Sequence, residues 1–278
     1  MSAPLPRSEL VHQLRRLGLC AGDVVMVHTS LKAIGPVEGG APQIVQALKD
    51  SIAPGGTLMA YVSWDRSPYE ETLNGAPLDA AAREAWPAFD PATAGTEPSF
   101  GLLNAFLCRE PGVLRSSHPD ANMAAIGPKA NELIVPHSLH EGYGPGSPLE
   151  RFVQLSGKVL LLGAPLDAVT VLHHAETLAD IPNKRRVRYE QPVLDDQGRK
   201  VWRIAEEFDT NGILDCFAQD GAMDAVETIA RACVADGRHR AGRVGQADCH
   251  LFDAQDLVRF GKAWLEQRYG QSAQRNMR

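Results

Sequence analysis

The run Val24-Val25-Met26-Val27, followed by a polar stretch from His28 to Gly40, helical spacing from Ala41 to Ile52 and then Pro54-Gly55-Gly56-Thr57-Leu58-Met59-Ala60-Tyr61-Val62, decides the fold. Four consecutive apolar residues bounded by turn formers read as a short buried strand. Pro54-Gly55-Gly56 stops the helix and opens a second apolar run. The resulting order, strand, loop, helix, strand, is an α/β signature. Upstream, Ser8 to Gly18 reads as a capped amphipathic helix that ends at glycine.

Downstream, Ser63 to Gly95 changes character: it is rich in proline, aspartate, alanine and aromatic residues. It reads as a long, partly helical excursion over the surface, and long loops of this kind usually wall a binding site. Phe100–Cys108 has helical spacing, Val113–Pro119 is extended, Ala124–Gly127 is a short strand or turn, and Lys129–Val135 is a short helix. Leu149–Leu155 is helical, Val159–Leu162 a buried strand, and Ala168–Ala179 a helix. Arg185–Leu194 and Lys200–Phe208 form a β-hairpin turned by Asp195-Asp196-Gln197-Gly198. Ala225–Ala235 is helical, Ala241–Phe252 mixed, and Ala254–Tyr269 a closing helix, with a frayed tail beyond Gly270. No internal repeat interrupts this order.

With 278 residues, 44% of them apolar, the chain can bury a sizeable core. No apolar run approaches the roughly 20 residues that cross a bilayer, and the first residues lack the apolar centre of a signal peptide, so a cytoplasmic place without membrane contact is expected. The net charge of −6 disfavours a nucleic-acid partner. Five cysteines with no Cys-x-x-Cys pair argue for free thiols rather than a disulfide framework or a zinc knuckle.

Chemistry concentrates in Thr170-Val171-Leu172-His173-His174-Ala175-Glu176, which follows Val159–Leu162 and the turn Gly163-Ala164-Pro165. Residues three apart share a helix face. A Glu176 carboxylate can take the Nδ1 proton of His173, fix its tautomer and leave Nε2 as a base. His174 lies about 100° around the helix and belongs to packing or to the groups that surround the base without touching substrate. At the end of the second hairpin strand, alternation puts Glu207 and Asp209 on one face and Glu206 on the other. Such carboxylates suit ammonium groups through charge-assisted hydrogen bonds.

Several motifs recur in one order: Val24–Val27 into His28-Thr29-Ser30-Leu31-Lys32-Ala33-Ile34-Gly35; Gly55-Gly56-Thr57-Leu58; Phe89-Asp90-Pro91-Ala92-Thr93; Arg115-Ser116-Ser117-His118-Pro119 before Ala125-Ile126-Gly127; Tyr143-Gly144 with Gly146-Ser147-Pro148; Leu161-Leu162-Gly163-Ala164-Pro165; and Thr170 with His173-His174-Ala175-Glu176. From about residue 8 to residue 270 this order resembles the aminoglycoside N3-acetyltransferases, a family distinct from the GNAT acetyltransferases. The resemblance implies a single α/β domain spanning 1–278, with an ordered core over 8–270. Its mixed central sheet is flanked by helices, and the 63–95 excursion forms part of the substrate cleft. It implies transfer of the acetyl group of acetyl-CoA to the 3-amino group of a 2-deoxystreptamine aminoglycoside, which confers antibiotic resistance, with no metal and as a monomer or homodimer.

Carried over motif by motif, the resemblance makes His173 the general base and Glu176 its orienting acid. His28, Thr29, Ser30, Leu31, Lys32, Ile34 and Gly35 match the loop that receives coenzyme A. Ser116, Ser117 and His118 match the second wall of that cleft. Glu206, Glu207 and Asp209 match the acidic segment facing the aminoglycoside, joined by Tyr61, Trp64, Asp65 and Tyr143. Histidine suits the chemistry, since an alkyl ammonium must lose a proton before its nitrogen attacks a thioester. Thr170, Ser117 or backbone N–H groups are candidates for holding the oxyanion. Other readings stand beside this one: a hydrolase using Ser30 or Ser117, although no Gly-x-Ser-x-Gly elbow is present; a metal hydrolase on His118, His173, His174 and Glu176, although the spacing is not His-Glu-x-x-His; a CoA-binding or small-molecule-binding module; and an acetyltransferase for another amine.

Overall fold

The computed structural model describes residues 3–271. Helix α1 (Arg7–Leu17) leads to strand β1 (Val24–Thr29), helices α2 (Leu31–Ile34) and α3 (Ala41–Ile52), and strand β2 (Thr57–Tyr61). Two short helices, α4 (Tyr69–Thr72) and α5 (Ala80–Ala85), then α6 (Leu103–Leu107), precede strands β3 (Leu114–Arg115) and β4 (Met123–Ile126). Helices α7 (Ala130–Ile134) and α8 (Pro148–Gln154), strand β5 (Lys158–Leu162) and helix α9 (Leu172–Leu178) follow. Strands β6 (Arg186–Leu194) and β7 (Lys200–Phe208), helix α10 (Ala225–Ala235), strands β8 (Arg240–Val244) and β9 (Ala247–Asp253) and helix α11 (Ala254–Tyr269) complete the chain. The tail expected beyond Gly270 falls almost wholly outside the described residues.

Seven strands form one mixed sheet in the order β3-β4-β2-β1-β5-β9-β8. β1 pairs in parallel with β2 on one side and with β5 on the other. The remaining pairs are antiparallel. Along β1, Val24 and Met26 join the core beneath α7 to α11, whereas Val25 and Val27 join the core beneath α1, α3 and α6. The strand is thus buried on both faces, as an inner strand of a parallel layer requires. Burial of each such side chain contributes about 1.5–3 kcal/mol, an upper bound.

Several boundaries differ from the sequence expectation. His28 and Thr29 belong to β1 rather than to a loop, because they pair with Leu161 and Leu162 of β5. Helix α1 begins after Pro6 without a side-chain cap, so Ser8 is not its N-cap. Helix α9 is shorter than Ala168–Ala179; a 3₁₀ turn over Leu166–Ala168 precedes it. The mixed region 241–252 is the hairpin β8–β9, which closes one edge of the sheet.

β6 and β7 form a separate two-stranded sheet, with single bridges to Phe89 and His140. The 63–95 excursion packs along this hairpin. Phe89 bridges to Val193, Arg83 pairs with Glu190, and the Lys200 ammonium donates to the carbonyls of Arg83, Glu84 and Trp86. The tyrosine rings of Tyr69 and Tyr189 meet edge to face at 4.7 Å. Among the described residues no helix is long and apolar enough to cross a membrane.

The turn after β5 depends on Gly163, whose φ is +71°. A Cβ there would lie 2.7 Å from the Ala33 side chain and 2.9 Å from that of Ala247. Gly163→Ala should therefore lower the free energy of unfolding by about 1–3 kcal/mol. Denaturant titration checks this, and an unchanged midpoint would contradict it.

Candidate active site

Three adjacent parallel strands end on one side of the sheet, and a cavity of about 530 Å³ opens there. His28 and Thr29 from the end of β1, Tyr61 from the end of β2 and the Ala164-Pro165 turn after β5 all line it. The chain leaves β1 towards α3 on one face and β5 towards α9 on the other. A crevice at such a divergence, beyond the carboxyl ends of strands, is the usual binding place in α/β sheets.

His173 reaches the cavity from α9. Its Nδ1–H donates to Glu176 Oε2 over 2.7 Å. The Glu176 side chain is 4% exposed and that of His173 17%, so the acid is shielded while the imidazole keeps a path to the cavity. Burial raises the Glu176 pKa, against the opposing hydrogen bond and charge of His173. The ring of Tyr143 stands 5.3 Å from that of His173, and the hydroxyls of Tyr143 and Tyr61 are 3.2 Å apart. His174 turns the other way and donates from Nδ1 to the Tyr143 carbonyl at 2.9 Å.

The segment 28–35 divides. His28, Thr29 and Ser30 line the cavity. Burial lowers the His28 pKa to about 4, so the ring is neutral, and its Nε2 has no hydrogen-bond partner among the described residues. Ser30 caps α2 by accepting from the Ala33 N–H at 3.4 Å. Ile34 is a core residue, Leu31 packs against the same core, and Gly35 lies against Gln246. Lys32 is exposed and lines no part of the cavity.

Ser116, Ser117 and His118 also lie apart from the cavity lining. Ser116 Oγ accepts from the Met123 N–H, Ser117 Oγ donates to the His137 carbonyl, and His118 Nδ1 accepts from the Ala121 N–H, while His118 Nε2 has no hydrogen-bond partner among the described residues. Trp64 is buried edge to face against Phe89. Asp65 lines a different cavity of about 690 Å³ beside Arg109 and Arg115.

The acidic segment at the end of β7 is engaged by other protein groups. Asp209 pairs with Arg185 at 3.1 Å and accepts from the Asn211 N–H at 2.9 Å. It thereby shapes the turn that puts Thr210 and Asn211 on the cavity wall. Asn211 also donates to the hydroxyl of Tyr69, which brings the excursion to the cleft. Glu206 is exposed beside Arg186. Glu207 is buried, accepts from the Tyr189 hydroxyl, and has its pKa raised by burial to about 8.

Two carboxylates that the sequence reading did not single out do line the cavity: Asp167, in the turn before α9, and Asp224, the N-cap of α10. Partial burial, and then the nearby charge of Asp224, raise the Asp167 pKa. No lysine or arginine stands among the described residues that line this cavity. Asp224 was legible as a cap, since Asp224-Ala225-Val226-Glu227 has capping-box spacing, but no local pattern tells which caps face a cleft.

The fold and this site define an α/β transferase. Residues 26–266 match the family described as aminoglycoside 3-N-acetyltransferase. An aminoglycoside N(3)-acetyltransferase III from Salmonella sp. is 61% identical over 264 residues, covering 95% of this chain and 92% of the relative. The solved structure of sisomicin-bound AAC-VIa superposes with a TM-score of 0.94 at 49% identity, covering 96% of this chain and 100% of that one. The binary structure of AAC-IIIb with CoASH gives a TM-score of 0.90 at 41% identity, covering 97% and 99%. The chain belongs to the aminoglycoside 3-N-acetyltransferase family.

Glu207 supplies a pH test. Its carboxyl ionises near about 4.3 when unfolded and near 8 when folded, so the stability it contributes is complete below the lower value and lost as pH rises through the higher one. Glu207→Gln keeps an acceptor for Tyr189 and removes that dependence. Thermal melts at about pH 5 and about pH 9 should show the variant gaining on the parent as pH rises; parallel curves would refute the assignment.

Proposed function

We propose that this protein transfers the acetyl group of acetyl-CoA to the 3-amino group of a 2-deoxystreptamine aminoglycoside, in a ternary complex without an acyl-enzyme, with His173 as general base. One observation carries the reading: the imidazole held at 2.7 Å by a buried acid opens into a cavity with two further carboxylates and no lysine or arginine among the described residues that line it. The sisomicin and CoASH held by the two structural relatives supply the substrate classes.

His173 Nε2 takes a proton from the acceptor ammonium, and the freed lone pair forms a bond to the thioester carbon. The carbonyl π pair moves onto oxygen. When it returns, the carbon–sulfur bond breaks, the thiolate of coenzyme A takes the proton from the imidazolium, and the excess proton left on the attacking nitrogen passes to water, which leaves a neutral amide. Glu176 stabilises that imidazolium, as the acid of a catalytic triad does. Asp167 and Asp224 hold other ammonium groups of the acceptor. His28, Thr29 and Ser30 form the floor on which the donor rests. Asp209, already paired with Arg185, acts by shaping the Thr210–Asn211 wall.

His173→Ala should lower turnover by at least about 100-fold while acetyl-CoA still binds. Glu176→Gln should cost less, because orientation is degraded while the base remains. Thiol release from acetyl-CoA with gentamicin or kanamycin, alongside calorimetric titration of acetyl-CoA, checks both; a near-parental rate for His173→Ala would end the proposal. Asp167→Asn and Asp224→Asn should raise the acceptor KM several-fold more than they lower kcat. Unchanged acceptor KM in both variants would remove those two carboxylates from the site.

A further inference from the structure

Three consecutive cations, Lys184-Arg185-Arg186, lead from α9 into the first residue of β6, and Arg186 shares the Phe208 ring with Lys184, its guanidinium 4.7 Å from the ring centre. Arg185 holds Asp209 and Arg186 holds Glu141. Lys184 is turned back onto the end of α9. Its ammonium donates to the carbonyls of Glu176 at 3.4 Å, Thr177 at 2.8 Å and Ala179 at 3.0 Å. Three N–H donors thus meet three acceptors. The last carbonyls of a helix have no partner within it, and a cation there also opposes the negative end of the helix dipole.

The same ammonium stands 4.2 Å from the centre of the Phe208 ring, in cation–π contact with the last residue of β7. Phe208 is followed by Asp209, Thr210 and Asn211, the last two on the cavity wall. Lys184 therefore touches both the helix that carries His173 and the strand that ends in the opposite wall.

Helix α9 needs such a support. It has seven residues and no side-chain cap at its N-terminus, and a helix of this length is not stable by itself. Glu176 sits in its final turn. If that turn frays, the three-residue relation between His173 and Glu176 is lost with it. We propose that Lys184 is a positioning residue: by closing the last turn of α9 and docking it on Phe208, it sets the Glu176 carboxylate against His173 and fixes the spacing between base and acceptor wall. The kinetic part of this assignment rests on the acetyl-transfer reading; the geometric part does not.

The experiment uses the full chain with Lys184→Met, which keeps the stem and removes the donors, Lys184→Arg, which restores a cation, and Lys184→Gln as a milder neutral change if the methionine variant does not fold. The His173 Nδ1–H proton is followed by NMR in the substrate-free protein and assigned by its loss in His173→Gln. In Lys184→Met that resonance should shift or broaden by exchange. Its kcat should fall about 10- to 100-fold, the acceptor KM should rise, and the acetyl-CoA KM should stay unchanged. Lys184→Arg should recover most of both signals. A neutral variant with the parental resonance and parental kcat would overturn the proposal. So would one that only melts at lower temperature while its resonance and its kcat per folded molecule are unchanged. If the parent itself transfers no acetyl group to an aminoglycoside, the functional reading falls, and the resonance alone still decides whether Lys184 sets the His173–Glu176 bond.

Discussion

Strand β1 has a parallel neighbour on each side and apolar helices over both faces, so it offers polar side chains a place only where it ends. This constraint organises the molecule. Val24 to Val27 supply alternating contacts to two cores, and the polar residues His28 and Thr29 can appear only as the strand leaves the sheet. Because β2 and β5 run in the same direction, their ends arrive at the same level. The cleft is a by-product of three strands stopping together, and the two helices that follow β1 and β5 diverge around it.

Helix α9 is fitted into this frame with little reserve of its own. Leu172 and Ala175 of α9 belong to the core shared with α11, while His173 faces the cavity and Glu176 is enclosed beneath it. An acid so enclosed prefers to be neutral, and the hydrogen bond and charge of the imidazole oppose that preference. The pair is coupled electrostatically: the more positive the ring, the better the burial of the acid is offset.

Much of this was legible from the sequence, for reasons that differ by element. The boundaries of α3, α10 and α11 agree with the residue pattern because each carries its own punctuation: Pro54-Gly55-Gly56 just beyond α3, Asp224 before α10, Asp253 before α11. The His173–Glu176 pair was legible because helical spacing alone puts the two side chains together. Asp167 and Asp224 were not, since they approach the cavity from turns more than fifty residues apart and share no local pattern. Alternation puts Glu207 and Asp209 on one face at the end of β7, and both are buried there, yet alternation is silent on which partners wait. Arg185 and Tyr189 reach them from β6 and the segment before it. Ser116 carries the same lesson: its hydroxyl is spent on the Met123 N–H and on His137 within the protein.

The hairpin β6–β7 stands outside the main sheet, with only Val187, Tyr189 and Ala205 as a small core of its own and the 63–95 excursion as its cladding. One wall of the cleft is thus built from the seven-stranded sheet, and the other hangs from a two-stranded ribbon whose backbone amides are protected by far fewer neighbours. Local opening of such a ribbon costs less than opening the centre. The consequence is a division of mechanical labour: the side that carries His28, Thr29 and His173 is stiff, while the side that carries Thr210 and Asn211 yields. Tolerance towards acceptors of different shape becomes a question of ribbon compliance, and mutations that tighten the cladding would narrow that tolerance without touching the cleft.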